Sequence, residues 1–163
     1  MRRGAHQVLL LDAGGLLVQN AAMATERPGE VAARTEFVAK VYAQLGYTAV
    51  NVGPHELAAG LADLRRFGKL AKVQLLSANL RDAKTNGPAF DRYLLRQVGP
   101  LKVAVIGVVT GAMAERGRLV HDQGLTVQEP LEVLQELVPE LRKQGADVVV
   151  LLSQLRRAEI ETL

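Results

Sequence analysis

A chain of 163 residues that is 48% hydrophobic and 23% charged carries enough apolar material for one packed core, which excludes wholesale disorder. Its net charge of +3 is too small and too scattered to signal nucleic acid; the densest basic run, Arg65, Arg66, Lys69 and Lys72, reads as a solvated helix end. With no cysteine, disulfides, thiolate catalysis and cysteine-ligated zinc are excluded.

The opening Met1–Val18 combines a basic start with an apolar run, as export signals do. Asp12 interrupts that run and no small-residue cleavage pattern follows, so no signal peptide is expected. The first strand is expected in Val8–Ala13. A helix is expected over Val31–Leu45, with Phe37, Val38, Val41, Tyr42 and Leu45 on its inner side. The run Ala49–Val52 reads as a strand. After it, Gly53-Pro54 starts a helix predicted to run to Phe67, with Leu57, Leu61, Leu64 and Phe67 at helical spacing. A third strand falls on Val73–Ala78.

"KTNGPAF" is a turn, and Arg92–Val98 is expected to form a hairpin across Gly99-Pro100 with a strand at Val103–Val109. A helix over Glu129–Lys143, turning Leu131, Leu134, Leu137, Val138 and Leu141 inward, leads to a last strand at Val148–Leu152. The strands are almost continuously apolar, as in a sheet covered on both faces, and they alternate with helices. The class is α/β with a partly parallel sheet, in one domain over residues 1–163. No apolar stretch reaches the ~20 residues of a membrane span.

Ligands of such sheets gather at the carboxyl ends of the strands. Four segments place polar residues there: "LLLDAGG", "VNVGPHE", "LLSANL" and "VVVLLSQLR". No glycine-rich dinucleotide or nucleotide-triphosphate fingerprint occurs among them.

Together and in this order the segments resemble the N-terminal metallophosphatase domain of the 5′-nucleotidase family, within the calcineurin-like metallophosphoesterases. The family pattern LLLDAGD is matched by Val8–Gly15, GYDAVTLGNHEFD by Gly46–Ala58, and LSANV by Leu76–Leu80. KVGVIGLTT is matched by Lys102–Thr110, and LVPELRKQGADVVVLLSHLG by Leu137–Arg156. The resemblance implies a partial metallophosphoesterase-like mixed β-sandwich flanked by helices, with further strands before and after. It also implies hydrolysis of nucleotides or phosphoesters at a divalent metal pair such as manganese or zinc, and export to periplasm or cell surface, although the residues themselves assign no compartment.

The departures change the functional expectation. The family's bridging aspartate falls on Gly15, its metal-binding asparagine on Pro54 and its metal-binding histidine on Gln154; the first and last ligand motifs would lie outside the 163 residues. Only His55 keeps its family identity, where it assists the leaving group. Two divalent cations about 4 Å apart repel by ~16 kcal/mol at an effective dielectric of 20, which a bridging carboxylate offsets. Gly15 has no side chain, Pro54 no donor atom, and Gln154 only a neutral carbonyl oxygen. A degenerate domain without metals is therefore expected, acting as a structural or partner-binding protein, with a partner or second copy covering open sheet. The alternatives are a phosphohydrolase with a residual or partner-completed site, and a non-hydrolysing nucleotide binder. His55 and Glu56 read equally as the exposed first turn of a helix, with Glu56 complementing the helix dipole. Asp12 reads as a turn residue ending its strand, and Ser77 and Asn79 as satisfying backbone groups. His6 and His121 match no motif.

Overall fold

The computed structural model describes residues 8–18, 26–113 and 118–163. His6, with most of the basic opening, lies outside them. Eight strands and six α-helices are assigned among these residues, besides one short 3₁₀ turn.

The first half of the chain builds a three-stranded parallel sheet, ordered β1 (Leu11–Asp12), β2 (Ala49–Asn51), β3 (Gln74–Leu76). Its crossovers are α1 (Pro28–Leu45), then α2 (Pro54–Ala58) and α3 (Leu61–Ala71). The second half contributes β5 (Tyr93–Val98), β6 (Leu101–Val109) and β8 (Val148–Gln154). Here β5 runs antiparallel to β6 and β8 parallel to it in register from Val103↔Val148 to Val109↔Gln154. The hairpin across Gly99-Pro100 forms where expected, with Gly99 at φ 60. A small antiparallel pair, β4 (Leu80–Asp82) with β7 (Leu125–Val127), was not anticipated; three residues carry too short an alternation to stand out. The helices α4 (Arg118–His121), α5 (Pro130–Lys143) and α6 (Arg157–Ile160) complete the chain.

Three expectations are corrected. The first strand narrows to Leu11–Asp12, because only these two residues find ladder partners, Ala49 and Val50. The helix predicted from Pro54 to Phe67 is broken: Gly60 at φ 92 ends one helix and starts the next, turning α3 so that Leu64, Phe67 and Ala71 enter the core. In α1 the buried face is Val31, Thr35 and Ala39, with Val38 and Tyr42 beside it. Phe37 and Leu45, expected inside, are 68% and 52% exposed. Small residues at 35 and 39 let α1 lie close to its neighbour, and that contact fixes the helix phase.

The core has a first-half cluster around Leu57, Leu64, Phe67 and Leu80, and a second around Ile106, Val108, Leu137 and Leu141. A third, with Ala49, Leu76, Leu94, Val105 and Leu152, joins the two larger sheets face to face. At roughly 25 cal/mol per Å2 of apolar surface buried, each large side chain there contributes about 2 kcal/mol. The basic residues Arg65, Arg66 and Lys69 line the solvent side of α3, and Lys72 follows it, as expected. No described helix is long and apolar enough to cross a membrane.

Candidate functional site

The four polar segments meet at the carboxyl ends of β1, β2, β3 and β8. Parallel pairing brings the ends of β1, β2 and β3 to one edge, and the facing sheet delivers the end of β8 to the same place.

Asp12 ends β1 as a turn residue. Its Oδ1 accepts the Gly14 amide at 2.6 Å, and its Oδ2 accepts the Tyr42 hydroxyl at 2.6 Å. Burial, together with that carboxylate, pushes the Tyr42 phenol well above its usual range, so it stays protonated and donating. The ring stacks on Tyr47 at 4.0 Å between centroids and meets Phe67 edge-on at 5.8 Å, which fixes the aromatic wall behind the loop.

The side chain at the centre is one the sequence reading had placed in solvent. Glu56 is fully buried. Its Oε1 accepts the backbone N–H groups of Gly15 at 2.7 Å and Leu16 at 2.9 Å; its Oε2 accepts that of Gly53 at 3.0 Å and the Gln154 amide at 3.4 Å. The expectation of an exposed first turn fails because Pro54 does start the helix, as predicted, and sets its phase so that the third helical residue points back at the β1 loop. A glutamate three residues beyond the glycine that caps a helix is a legible capping signal. Its longer-range partners, 40 and 41 residues away, are not legible.

His55 sits half-buried beside it. Its Nδ1 lies 2.7 Å from the Val18 carbonyl, so Nδ1 carries the proton and, in the neutral ring, Nε2 holds the lone pair. Gln154 donates its amide to the Ala13 carbonyl at 2.8 Å as well as to Glu56. Gly14 and Gly53 lie directly beneath that amide, and a Cβ on either would collide with it. Gly15 faces open space, at φ +89. Pro54 contributes ring carbons only.

Two asparagines tie the loops to the sheets. Asn51, fully buried, donates to the carbonyls of Ala13 at 3.3 Å and Val108 at 3.0 Å, crossing from one sheet to the other. Gly107 is required opposite it, since a Cβ there would stand 2.6 Å from Asn51 Oδ1. The polar residue inside the apolar run "AVNV" is the local signal for Asn51. Asn79 behaves as expected: it donates to Val109 and Gln128 and accepts from the Val109 amide. Ser77 does not, because its buried hydroxyl has no hydrogen-bond partner, and only its backbone is held, to Asp91. His121 closes α4 and has no place among these hydrogen bonds. Among the described residues, no three His, Cys, Asp or Glu side chains form a group able to hold a metal ion.

No protein-family model matches the chain. A 2′,3′-cyclic-nucleotide 2′-phosphodiesterase/3′-nucleotidase of Salmonella typhimurium is 31% identical over 125 residues, which is 71% of this chain and 19% of that protein. A 5′-nucleotidase of Vibrio cholerae is 28% identical over 117 residues, covering 71% of this chain and 21% of the relative. The chain thus spans about a fifth of the length of these curated relatives. Among solved structures, the 5′-nucleotidase precursor from Thermus thermophilus superposes with a TM-score of 0.69 at 28% identity, over 93% of this chain and 29% of that one. The calcineurin-like phosphoesterase YfkN from Bacillus subtilis gives 0.70 at 23% identity over 89% and 47%, a likeness of fold alone.

The architecture, with its polar loops gathered at one sheet edge, is that of the calcineurin-like phosphoesterases. Within that class the chain belongs to the 5′-nucleotidase family, as part of the N-terminal metallophosphoesterase domain.

Proposed function

We propose that this chain is a non-catalytic member of its family, a metallophosphoesterase-like domain that holds no metal pair and serves as a structural or partner-binding protein. The observation that carries this reading is the coincidence of three positions at one sheet edge. Gly15 offers no ligand and Pro54 offers none. Gln154 offers only a neutral carbonyl oxygen, its N–H groups being given to Ala13 and Glu56. The two carboxylates nearby are committed as well, Asp12 to Gly14 and Tyr42, and Glu56 to backbone amides. A neutral amide set of this kind does not supply the anionic charge that would hold two divalent cations close together.

The partner half of the reading is supported by β8. It stands at the end of its sheet with an apolar sequence, and Val148 is 37% exposed. An open, apolar strand edge is a template for another strand. A protein partner or a second copy of the chain would cover it.

The test is direct. Purified chain should carry no stoichiometric manganese or zinc by elemental analysis, and should not hydrolyse nucleotides or bis-nitrophenyl phosphate with added manganese. Turnover abolished by His55→Ala would overturn the reading in favour of a phosphohydrolase, for which the Nε2 lone pair of His55 is the surviving support. Stabilisation by nucleotides without turnover would favour a non-hydrolysing nucleotide binder. Light scattering that shows only monomer at micromolar concentration would remove the self-association variant.

A further inference from the structure

We infer that the cleft contains an anion-binding nest that is filled from within: the Glu56 carboxylate is the resident ligand of three backbone N–H groups from two separate loops, and a carboxylate-sized anion is the ligand class those amides take. This does not depend on whether the cleft turns over a phosphoester, since it concerns what holds the loops.

The donors converge from both sides. Gly15 and Leu16, on the loop after β1, reach one carboxylate oxygen at 2.7 and 2.9 Å; Gly53, on the loop after β2, reaches the other at 3.0 Å. The fourth donor, Gln154 Nε2 at 3.4 Å, is neutral too. A fully buried carboxylate is thus held by amide dipoles alone, as anions are held in concave backbone nests. The β1 loop reaches that shape through consecutive left-handed residues, Gly14 at φ +91 and Gly15 at φ +89. A Cβ at Gly14 would lie 2.6 Å from the Asn51 carbonyl oxygen and 2.9 Å from Glu56 Oε2. The loop therefore closes around the carboxylate in a form that glycine alone adopts without strain. Without Glu56, three converging amides, one buried and two half-buried, would have no acceptor within the chain, which leaves their place to an anion from solution.

Hydrogen exchange on the whole chain reads this directly. The amides of Gly15, Leu16 and Gly53 lie outside every helix and strand ladder, yet they should exchange at least 100-fold more slowly than in unstructured peptide. Exchange at the unstructured rate would overturn the inference. Inorganic phosphate at millimolar concentration should leave these three amide resonances of the wild-type chain unmoved; a saturable shift there would show that the nest is open and overturn it too. In Glu56→Ala the protection should fall at least tenfold and return, saturably, with sodium formate but not with sodium chloride at equal ionic strength. If a folded Glu56→Ala responds to formate no better than to chloride, the nest is not an anion site and the inference is lost. Should that variant not fold, the wild-type exchange rates decide alone.

Discussion

The two halves of the molecule solve the same packing problem by different means. In the second half, α5 lies on β6 and β8 through Leu134, Leu137, Leu141, Ile106 and Val108, and the contacts are apolar throughout. In the first half, the loops after β1 and β2 meet through Glu56, Asn51 and Asp12, each buried or half-buried and each bonded to backbone. An apolar interface is non-directional and tolerates small shifts, whereas a buried carboxylate fixes each donor to a few tenths of an ångström. In this chain the first half carries its site-building loops beside an apolar cluster of its own, whereas α5 and its sheet meet through apolar contacts alone.

That contrast can be broken at graded cost. The largest effect is expected from Leu137→Ala, which empties a fully buried position in the second-half core and should lower stability by about 4 kcal/mol in denaturant melts. A loss under about 1 kcal/mol would show that this interface is not the strong one. Glu56→Ala should cost about 2 kcal/mol, because it strands one buried and two half-buried amides while leaving the apolar clusters intact. If it cost less than a surface change, the polar half would not depend on its hub. Gly60→Ala, at φ 92 between α2 and α3, should cost about 1 kcal/mol through backbone strain, with open space for the methyl group itself.

Smaller still is a pH effect confined to the turn after β4. Backbone hydrogen bonds from Thr85 and Lys84, with the Thr85 hydroxyl, hold the Asp82 carboxyl below its ordinary value of 3.8. A depressed carboxyl contributes stability that is fully present above 3.8 and lost as pH falls through the lower, folded value. Asp82→Asn should therefore flatten the acid limb of the stability curve, with its small cost seen at neutral pH and vanishing as pH falls below the folded value. An identical acid limb in the variant would remove this assignment. Last, Phe37→Lys on the exposed face of α1 should change stability by no more than about 0.5 kcal/mol. A larger loss in the isolated chain would mean that the α1 ring is covered.

The elements were legible where a run of residues carries one repeating pattern. The hairpin at Gly99-Pro100, the helix ending at Lys143 and the strand beginning at Val148 all declared themselves, because period and turn chemistry are local properties. The facing of α1 did not, since Phe37 and Leu45 satisfy the helical period as well as Val31 and Ala39 do, and only the neighbouring helix chooses between them. Within the site, the motifs that carry the family likeness were visible, and so were Gly15, Pro54 and Gln154, the positions where the resemblance implies metal ligands. Glu56 was misplaced because hydrophobicity sends a carboxylate to solvent, and the three amides that reverse that preference come from loops that touch only after the chain has folded.

By itself, then, the sequence determined the class of fold, the order of its longer elements and the family to which the chain belongs, all of which rest on local pattern and collinear motifs. The tertiary structure alone decided which carboxylate is buried, which glycines are obligatory and which aromatic ring is left outside. Each of these is settled by the contact of segments some 30 to 140 residues apart in the chain, as between Asp12 and Tyr42 or Ala13 and Gln154, and no local period records such a contact.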